Sequence, residues 1–166
     1  MDIKLKRWSL QDKKDLIVLC NSIDRRYLSD RMPYPYTDED ANWWLNMVLE
    51  HEGKDGIFRA IIVDNKIVGS ISIEQKSGIY EKDAELGYLL FTDKWSKGIM
   101  TYAVERICNI AFLELDILRI TALVYSPNIA SKRVLEKNGF SMEGTMKKAV
   151  FKDNNIYDLF IYGLTR

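Results

Sequence analysis

Two stretches of this chain carry residue types and spacings suited to binding a phosphate-bearing ligand. The first is Thr92-Asp93-Lys94-Trp95-Ser96-Lys97-Gly98, between a β-like segment ending at Leu90 and a long segment of helical apolar period. A helix starting at Gly98 would offer several unpaired backbone N–H groups and the positive end of its dipole, a cradle for phosphate or pyrophosphate, and glycine allows close approach. A plain strand-to-helix turn carries the same signature. The second stretch is Asn128-Ile129-Ala130-Ser131, directly after the apolar run Leu118 to Tyr125. Asn128 suits a helix N-cap, and Ser131 is then either an exposed first-turn residue or a hydroxyl held at a ligand. If the two preceding strands are neighbours, both helix N-termini lie at strand C-terminal ends, where open α/β sheets bind ligands. The chain lacks G-x-G-x-x-G and a P-loop ending, which argues against dinucleotide redox and NTP chemistry.

Other reactive residue types are sparse. His51 is the single histidine and sits in Glu50-His51-Glu52-Gly53, where a helix is expected to end in solvent, so a zinc site or a histidine-based triad has little to draw on. Cys20 and Cys108 lie far apart without metal-ligand partners at useful spacing and read as reduced core thiols. No metal site is expected.

The elements that must position these residues follow from periodicity and turn signals. Residues 3 to 8 form a short strand. Ser9 and Asp12 resemble a capping signal for a first helix whose apolar face is Leu16, Ile17, Leu19, Cys20 and Ile23. Arg25 to Tyr36 holds Arg31-Met32-Pro33-Tyr34-Pro35-Tyr36, which cannot continue a helix through its prolines and reads as an aromatic, basic loop. Thr37 with Asp40 starts a second helix bearing Ala41, Trp44, Leu45 and Val48. Ile57 to Val63 and Ile67 to Ile73 should pair across Asp64-Asn65-Lys66, and a third strand follows at Ala84 to Leu90. A long helix then runs from about Gly98 to Leu115. Beyond it come a buried strand, Leu118 to Tyr125, and a short helix, Asn128 to Lys137, ended by Asn138-Gly139 with Phe140 packing back. Two closing strands, Phe140 to Lys152 and Ile156 to Leu164, flank Asp153-Asn154-Asn155. The order β-α-α-β-β-β-α-β-α-β-β describes an α/β mixed sheet with helices against it.

The 166 residues make one domain, 1–166, with 47% hydrophobic and 29% charged residues, and no linker or repeat interrupts them. Twenty-four basic residues balance twenty-four acidic ones. No overall positive field draws the protein to nucleic acid or an anionic membrane, so any anion site must be local. Charge breaks Met1-Asp2-Ile3-Lys4-Leu5-Lys6-Arg7 before an apolar stretch develops, and no run approaches the roughly 20 apolar residues of a membrane span, which reads as a cytoplasmic protein.

Four segments together resemble the GNAT superfamily of acetyl-CoA-dependent N-acetyltransferases. They are Pro35-Tyr36-Thr37-x-x-Asp40-Ala41, Glu85-Leu86-Gly87-Tyr88, Trp95-Ser96-Lys97-Gly98-Ile99-Met100-Thr101, and Asn128-x-x-Ser131-x-Arg133-Val134-x-Glu136-Lys137-x-Gly139-Phe140 followed by Glu143-Gly144. Within the superfamily they are similar to the branch holding the ribosomal-protein N-terminal acetyltransferases. The resemblance implies a single GNAT domain, its mostly antiparallel sheet splayed at the centre and helices packed on both faces. It implies that Lys97, Gly98, Ile99, Met100 and Thr101 wrap the pyrophosphate of coenzyme A. The strand Glu85 to Leu90 would splay from the one after Arg119, with the pantetheine arm in the gap facing backbone groups of Leu89 and Leu90, one of which could polarise the acetyl carbonyl.

The same resemblance assigns Ser131 as proton donor to the leaving thiolate, with Asn128 contacting the pantetheine or an ordered water. Two positions depart from the family pattern. Leu135 stands where many members hold a tyrosine acid, and Val150 stands in the segment where part of the branch carries a glutamate base. Glu85 is then the available base, directly or through water, or else a strand-end carboxylate paired to a cation. The loop Arg25 to Tyr36, the second helix and the final hairpin are implied to surround the acceptor, with Tyr34, Tyr36, Trp44, Tyr88 and Tyr157 as wall residues or as ordinary core packing. Asp158 would meet a cationic amine or brace the nearby turn. The expected activity is acetyl transfer to a primary amine by direct attack, since neither buried cysteine suits an acyl-enzyme. The acceptor is a protein N-terminus, or alternatively a small amine, polyamine or antibiotic. A non-catalytic acyl-CoA-binding module is the rival reading, and either a monomer or a homodimer is compatible.

Overall fold

Two-residue turns and fully laddered strands set the architecture. In the computed structural model, which describes residues Met1–Arg166, the strands are β1 (Ile3–Arg7), β2 (Gly56–Val63), β3 (Lys66–Gln75), β4 (Asp83–Leu90), β5 (Arg119–Tyr125), β6 (Ser141–Lys152) and β7 (Asn155–Thr165). The helices are α1 (Lys13–Ser22), α2 (Asp38–His51), α3 (Ile99–Glu114) and α4 (Ile129–Lys137). The β2–β3 turn puts Asp64 and Asn65 at φ 49° and 67°, and the β6–β7 turn puts Asp153 and Asn154 at 50° and 62°. Asx residues tolerate this left-handed pair, whose twist matches that of a hairpin. Both expected hairpins form, with strand ends within one or two residues of those expected.

The seven strands form one sheet in the order β1-β2-β3-β4-β5-β7-β6. Every neighbouring pair is antiparallel except β4 and β5, which run parallel. That pair is registered only at Asp83↔Arg119, Ala84↔Ile120 and Glu85↔Thr121. Beyond it β4 stays laddered to β3 as far as Leu90↔Gly69, and β5 to β7 as far as Tyr125↔Leu159. The sheet is therefore two half-sheets joined at one end and parted at the other. A polar network closes the joined end. Thr121 Oγ1 donates to Asp83 Oδ1 at 2.8 Å, and Arg119 pairs with Asp83 at 3.4 Å and with Glu143 of β6 at 2.6 Å.

Gly69 fixes how closely β3 and β4 approach. A Cβ there would lie 2.5 Å from the Leu89 carbonyl oxygen, a main-chain atom that cannot step aside. Gly69→Ala is expected to destabilise the fold by about 2 to 3 kcal/mol through overpacking, read as a lower denaturant midpoint at unchanged slope.

The helices cover both faces and separate two cores. α3 and α4 lie over the larger one, built from Ile57, Ile61, Ile71, Ile73, Leu86 and Ile107 with their neighbours. α1 and α2 cover a smaller one containing Trp8, Leu16, Leu19, Leu45 and Phe58. Both N-terminal signals operate: Ser9 N–H donates to Asp12 Oδ2 (2.9 Å) ahead of a short 3-10 turn, and Thr37 and Asp40 exchange reciprocal hydrogen bonds at 2.9 and 3.2 Å. Gly139 at φ 83° ends α4, and the Phe140 N–H returns to the Leu135 carbonyl at 3.0 Å. No helix is long and apolar enough to cross a membrane.

Candidate active site

The parted end of the sheet opens onto two helix N-termini. Strand alternation decides which β4 groups face the gap. The Lys82 carbonyl accepts from Arg119 N–H on the β5 side, whereas Asp83 O and Phe91 N–H bond to Lys76 and Val68 on the β3 side. Even-numbered residues of β4 therefore turn their main-chain groups toward β5, so the N–H groups of Tyr88 and Leu90 point into the gap. Leu89, expected to share this role, is turned the other way, its carbonyl against Gly69 of β3. Sequence reasoning missed the Tyr88 amide because strand phase depends on register, which a single sequence does not reveal.

Beyond Leu90 the chain makes a 3-10 turn (Thr92–Lys94), and Trp95 Nε1 donates to the Leu90 carbonyl at 3.0 Å. Ser96 (φ 59°) and Gly98 (φ 79°) both take left-handed conformations before α3 begins. Gly98 is the N-cap and no side chain caps it. The first N–H groups, on Ile99, Met100 and Thr101, have no partner four residues back. The Ile99 and Met100 side chains are buried in the larger core, which anchors their amides in place. Nothing lies within 4 Å of a Cβ built on Gly98, so the space in front of this terminus is open. Lys97 is exposed beside it. Open space, oriented amides and a nearby cation suit a pyrophosphate, and Lys97 to Thr101 are the residues that would hold it.

Across the gap, Asn128 caps α4, its Oδ1 accepting from the Ser131 N–H at 3.2 Å. Ser131 Oγ lies 2.5 Å from the Tyr88 hydroxyl of β4. Burial pushes the Tyr88 phenol up to about 12, while the hydrogen bond with Ser131 pulls it the other way. Asn138 ties the two helices together, its Nδ2 donating to Val134 O (2.9 Å) and Thr101 O (3.2 Å). Leu135 is fully buried in the core and leaves no room for a larger polar group.

Glu85 lies on the other face of β4, toward the loop that precedes α2. It is paired in register with Glu74, and Arg31 from that loop reaches both carboxylates, at 3.9 and 4.0 Å. Burial raises the Glu74 carboxyl above its ordinary range, Arg31 opposes this, and the facing Glu85 adds to it. The Glu74 partner went unseen in the sequence because it too depends on register.

The five aromatics expected around the acceptor fall into three places. Tyr36 is 6% exposed in the smaller core, its N–H donating to Asn21 Oδ1 at 2.8 Å. Trp44 packs edge-on against Trp8 and Phe58, at 5.4 and 6.3 Å between ring centroids. These two serve as packing residues. The Tyr88 ring turns to the α3 and α4 side, away from the face that carries Glu85 and the loop Arg25 to Tyr36. Tyr34 and Tyr157 lie in and against the loop Arg25 to Tyr36. Tyr34 is 68% exposed beneath the Arg25 guanidinium, 4.8 Å from its ring centroid. Tyr157 stacks on Tyr125 at 6.0 Å and meets Tyr27 edge-on at 6.2 Å.

The loop Arg25 to Tyr36 is strapped at both ends. Arg25 donates to the carbonyls of Cys20, Met32 and Pro33 at 2.8 to 3.0 Å, and Lys152 donates to those of Arg25 and Leu28. Asp158 Oδ1 accepts from the Lys148 N–H at 2.8 Å, so it braces the irregular stretch of β6, where Lys148 has φ 54°. Cys20 and Cys108 are buried, and burial pushes both thiols up to about 12, far from a reactive thiolate. His51 ends α2, its Nδ1 2.7 Å from Asp55.

A parted sheet feeding two amide-rich helix termini suits a long phosphate-bearing ligand laid between the strands. The chain belongs to the GNAT acetyltransferases: the family described as Acetyltransferase (GNAT) domain matches residues 2–141, and the protein is an N-acetyltransferase. It is 31% identical over 157 residues to the SPbeta prophage-derived uncharacterized N-acetyltransferase YokL of Bacillus subtilis, covering 90% of this chain and 84% of that one. It is 26% identical over 117 residues to the ribosomal-protein-serine acetyltransferase of Escherichia coli, over 70% of this chain and 64% of that one. Among solved structures, RimL, a ribosomal L7/L12 alpha-N-protein acetyltransferase in complex with coenzyme A, superposes with a TM-score of 0.83 at 22% identity, covering 98% of this chain and 93% of that one.

Proposed function

We propose that this N-acetyltransferase acetylates the α-amine of a protein N-terminus by direct attack in a ternary complex with acetyl-CoA. The observation that carries the reading is the gap between β4 and β5, which opens onto the bare α3 N-terminus on one side and Ser131 on the other. In this reading Lys97 to Thr101 hold the pyrophosphate and Asn128 adjoins the pantetheine. The Leu90 N–H polarises the acetyl carbonyl, with the Tyr88 N–H beside it. Bound acetyl-CoA supplies the activated thioester. Ser131 donates toward the departing sulfur, and Glu85 takes the amine proton from the opposite face of the sheet, so attack and departure are served from separate sides. Tyr34 and Tyr157 line the mouth.

Chemistry favours an α-amine over a lysine. At about pH 7.5 roughly a third of an α-amine is neutral, against about one in a thousand for a lysine of ordinary pKa. Glu85 is five residues from Leu90, roughly 17 Å along the strand at about 3.4 Å per residue, more than one water spans, so it takes the proton through a chain of waters. Such a base suits an acceptor of which a sizeable fraction is already neutral. Two relatives whose names specify ribosomal proteins support the same class.

The test is thiol release from acetyl-CoA with peptides bearing free N-termini, the same peptides N-blocked with an internal lysine, and a panel of polyamines and amine antibiotics. Release with the free N-termini alone is expected. Release only with the small amines would replace the acceptor, and coenzyme A binding with no amine-dependent release would leave a binding module.

Glu85→Gln probes the base. Its rate deficit should be larger at about pH 6.5, where the amine is mostly protonated, than at about pH 9, where free amine is abundant. A variant with the parent's profile would remove Glu85 from the role.

A further inference from the structure

We infer that Tyr88 is a positioning residue that aims the Ser131 hydroxyl at the departing sulfur. The inference rests on the reading of Ser131 as the donor and adds the group that directs it. Tyr88 OH and Ser131 Oγ are 43 residues apart in sequence, on β4 and α4, and meet at 2.5 Å on the α3 and α4 side of the sheet.

A serine hydroxyl has one proton and a nearly free rotor, so by itself it points wherever a better acceptor lies. Here the rest of Ser131 is fixed: its N–H is held by Asn128, and Asn138 locks α4 to α3. Only the hydroxyl direction is left to choose. Of the two hydroxyls the phenol is the stronger acid and so the better donor, and its proton goes to Ser131 Oγ. That leaves the Ser131 proton uncommitted and facing away from Tyr88, the arrangement needed to meet developing negative charge on sulfur.

The phenol holds this role across the working pH range, because burial keeps it protonated well above neutrality. Its ring packs against the larger core and its own N–H faces the gap, so one residue places both a side-chain donor and a main-chain donor around the reacting group. The ring also lies on the face opposite Glu85 and the strapped loop, which removes Tyr88 from the acceptor wall.

Tyr88→Phe keeps the ring and deletes the donor. We expect kcat to fall about tenfold, the worth of one well-placed hydrogen bond, with KM for acetyl-CoA and for the acceptor peptide within about twofold of the parent. In a Ser131→Ala background the same substitution should have no further effect, because nothing remains to be aimed. Thermal stabilisation by coenzyme A, measured on all variants, reports that each one folds and binds. Parent kcat in Tyr88→Phe, an equal loss in both backgrounds, or a raised acceptor KM at unchanged kcat would each overturn the inference. Full activity in Ser131→Ala alone would instead remove the underlying assignment of the donor, so the two failures are told apart.

Discussion

Ser131→Ala is expected to lower kcat by about 10²-fold or more while KM for acetyl-CoA stays within about twofold, because a positioned proton donor typically contributes about 10²- to 10⁴-fold. The structure isolates this effect. Ser131 occupies the first turn of α4, and the bond that caps the helix uses its main-chain N–H, which alanine retains. Helix stability should therefore change little. The deletion also leaves the Tyr88 phenol without its partner in a buried setting, which lowers fold stability and leaves kcat untouched. Steady-state kinetics at saturating acetyl-CoA measure the loss in kcat directly. A fully active variant would mean that water or another group protonates the thiolate.

Gly98→Val should act on binding instead. Glycine holds φ 79° at the α3 N-cap, a conformation that a β-branched residue adopts at a cost of about 1 to 2 kcal/mol. Apart from its chain neighbours, no atom of the free protein lies within 4 Å of the new Cβ, so the side chain projects into the space a diphosphate would take. Losing one or two charge-assisted hydrogen bonds would weaken acetyl-CoA about 100-fold. At a ligand concentration near 100 times the parent Kd, stabilisation by coenzyme A would shrink from about 2.7 kcal/mol to about 0.4 kcal/mol. Calorimetry and thermal unfolding with and without coenzyme A measure both quantities. Unchanged affinity would place the phosphates elsewhere.

Much of the architecture is legible in the sequence because local chemistry specifies it. Ser9 with Asp12, Thr37 with Asp40, Asp64-Asn65, Asp153-Asn154 and Gly139 each act where their residue types demand. The α3 terminus is legible for the same reason: Gly98 precedes a continuous apolar stripe. Relations between strands are not. The Tyr88–Ser131 contact, the facing Glu74 and Glu85, and the orientation of Leu89 follow from register and from which side of the sheet each residue meets. Aromatic type is equally silent about place. Tyr36 and Trp44 fill the smaller core while Tyr34 and Tyr157 lie in and against the loop, where the unanticipated Tyr27 meets Tyr157.

The two cores divide the labour. In the proposed reading, coenzyme A would be held by elements rooted in the larger one, whereas the strapped loop hangs between the smaller one and Lys152 at the far tip of the last hairpin. On that reading, mutational drift in α1, α2 or that hairpin would retune which amine is admitted while the donor grip is inherited intact, so one scaffold would diversify its clients without relearning its chemistry.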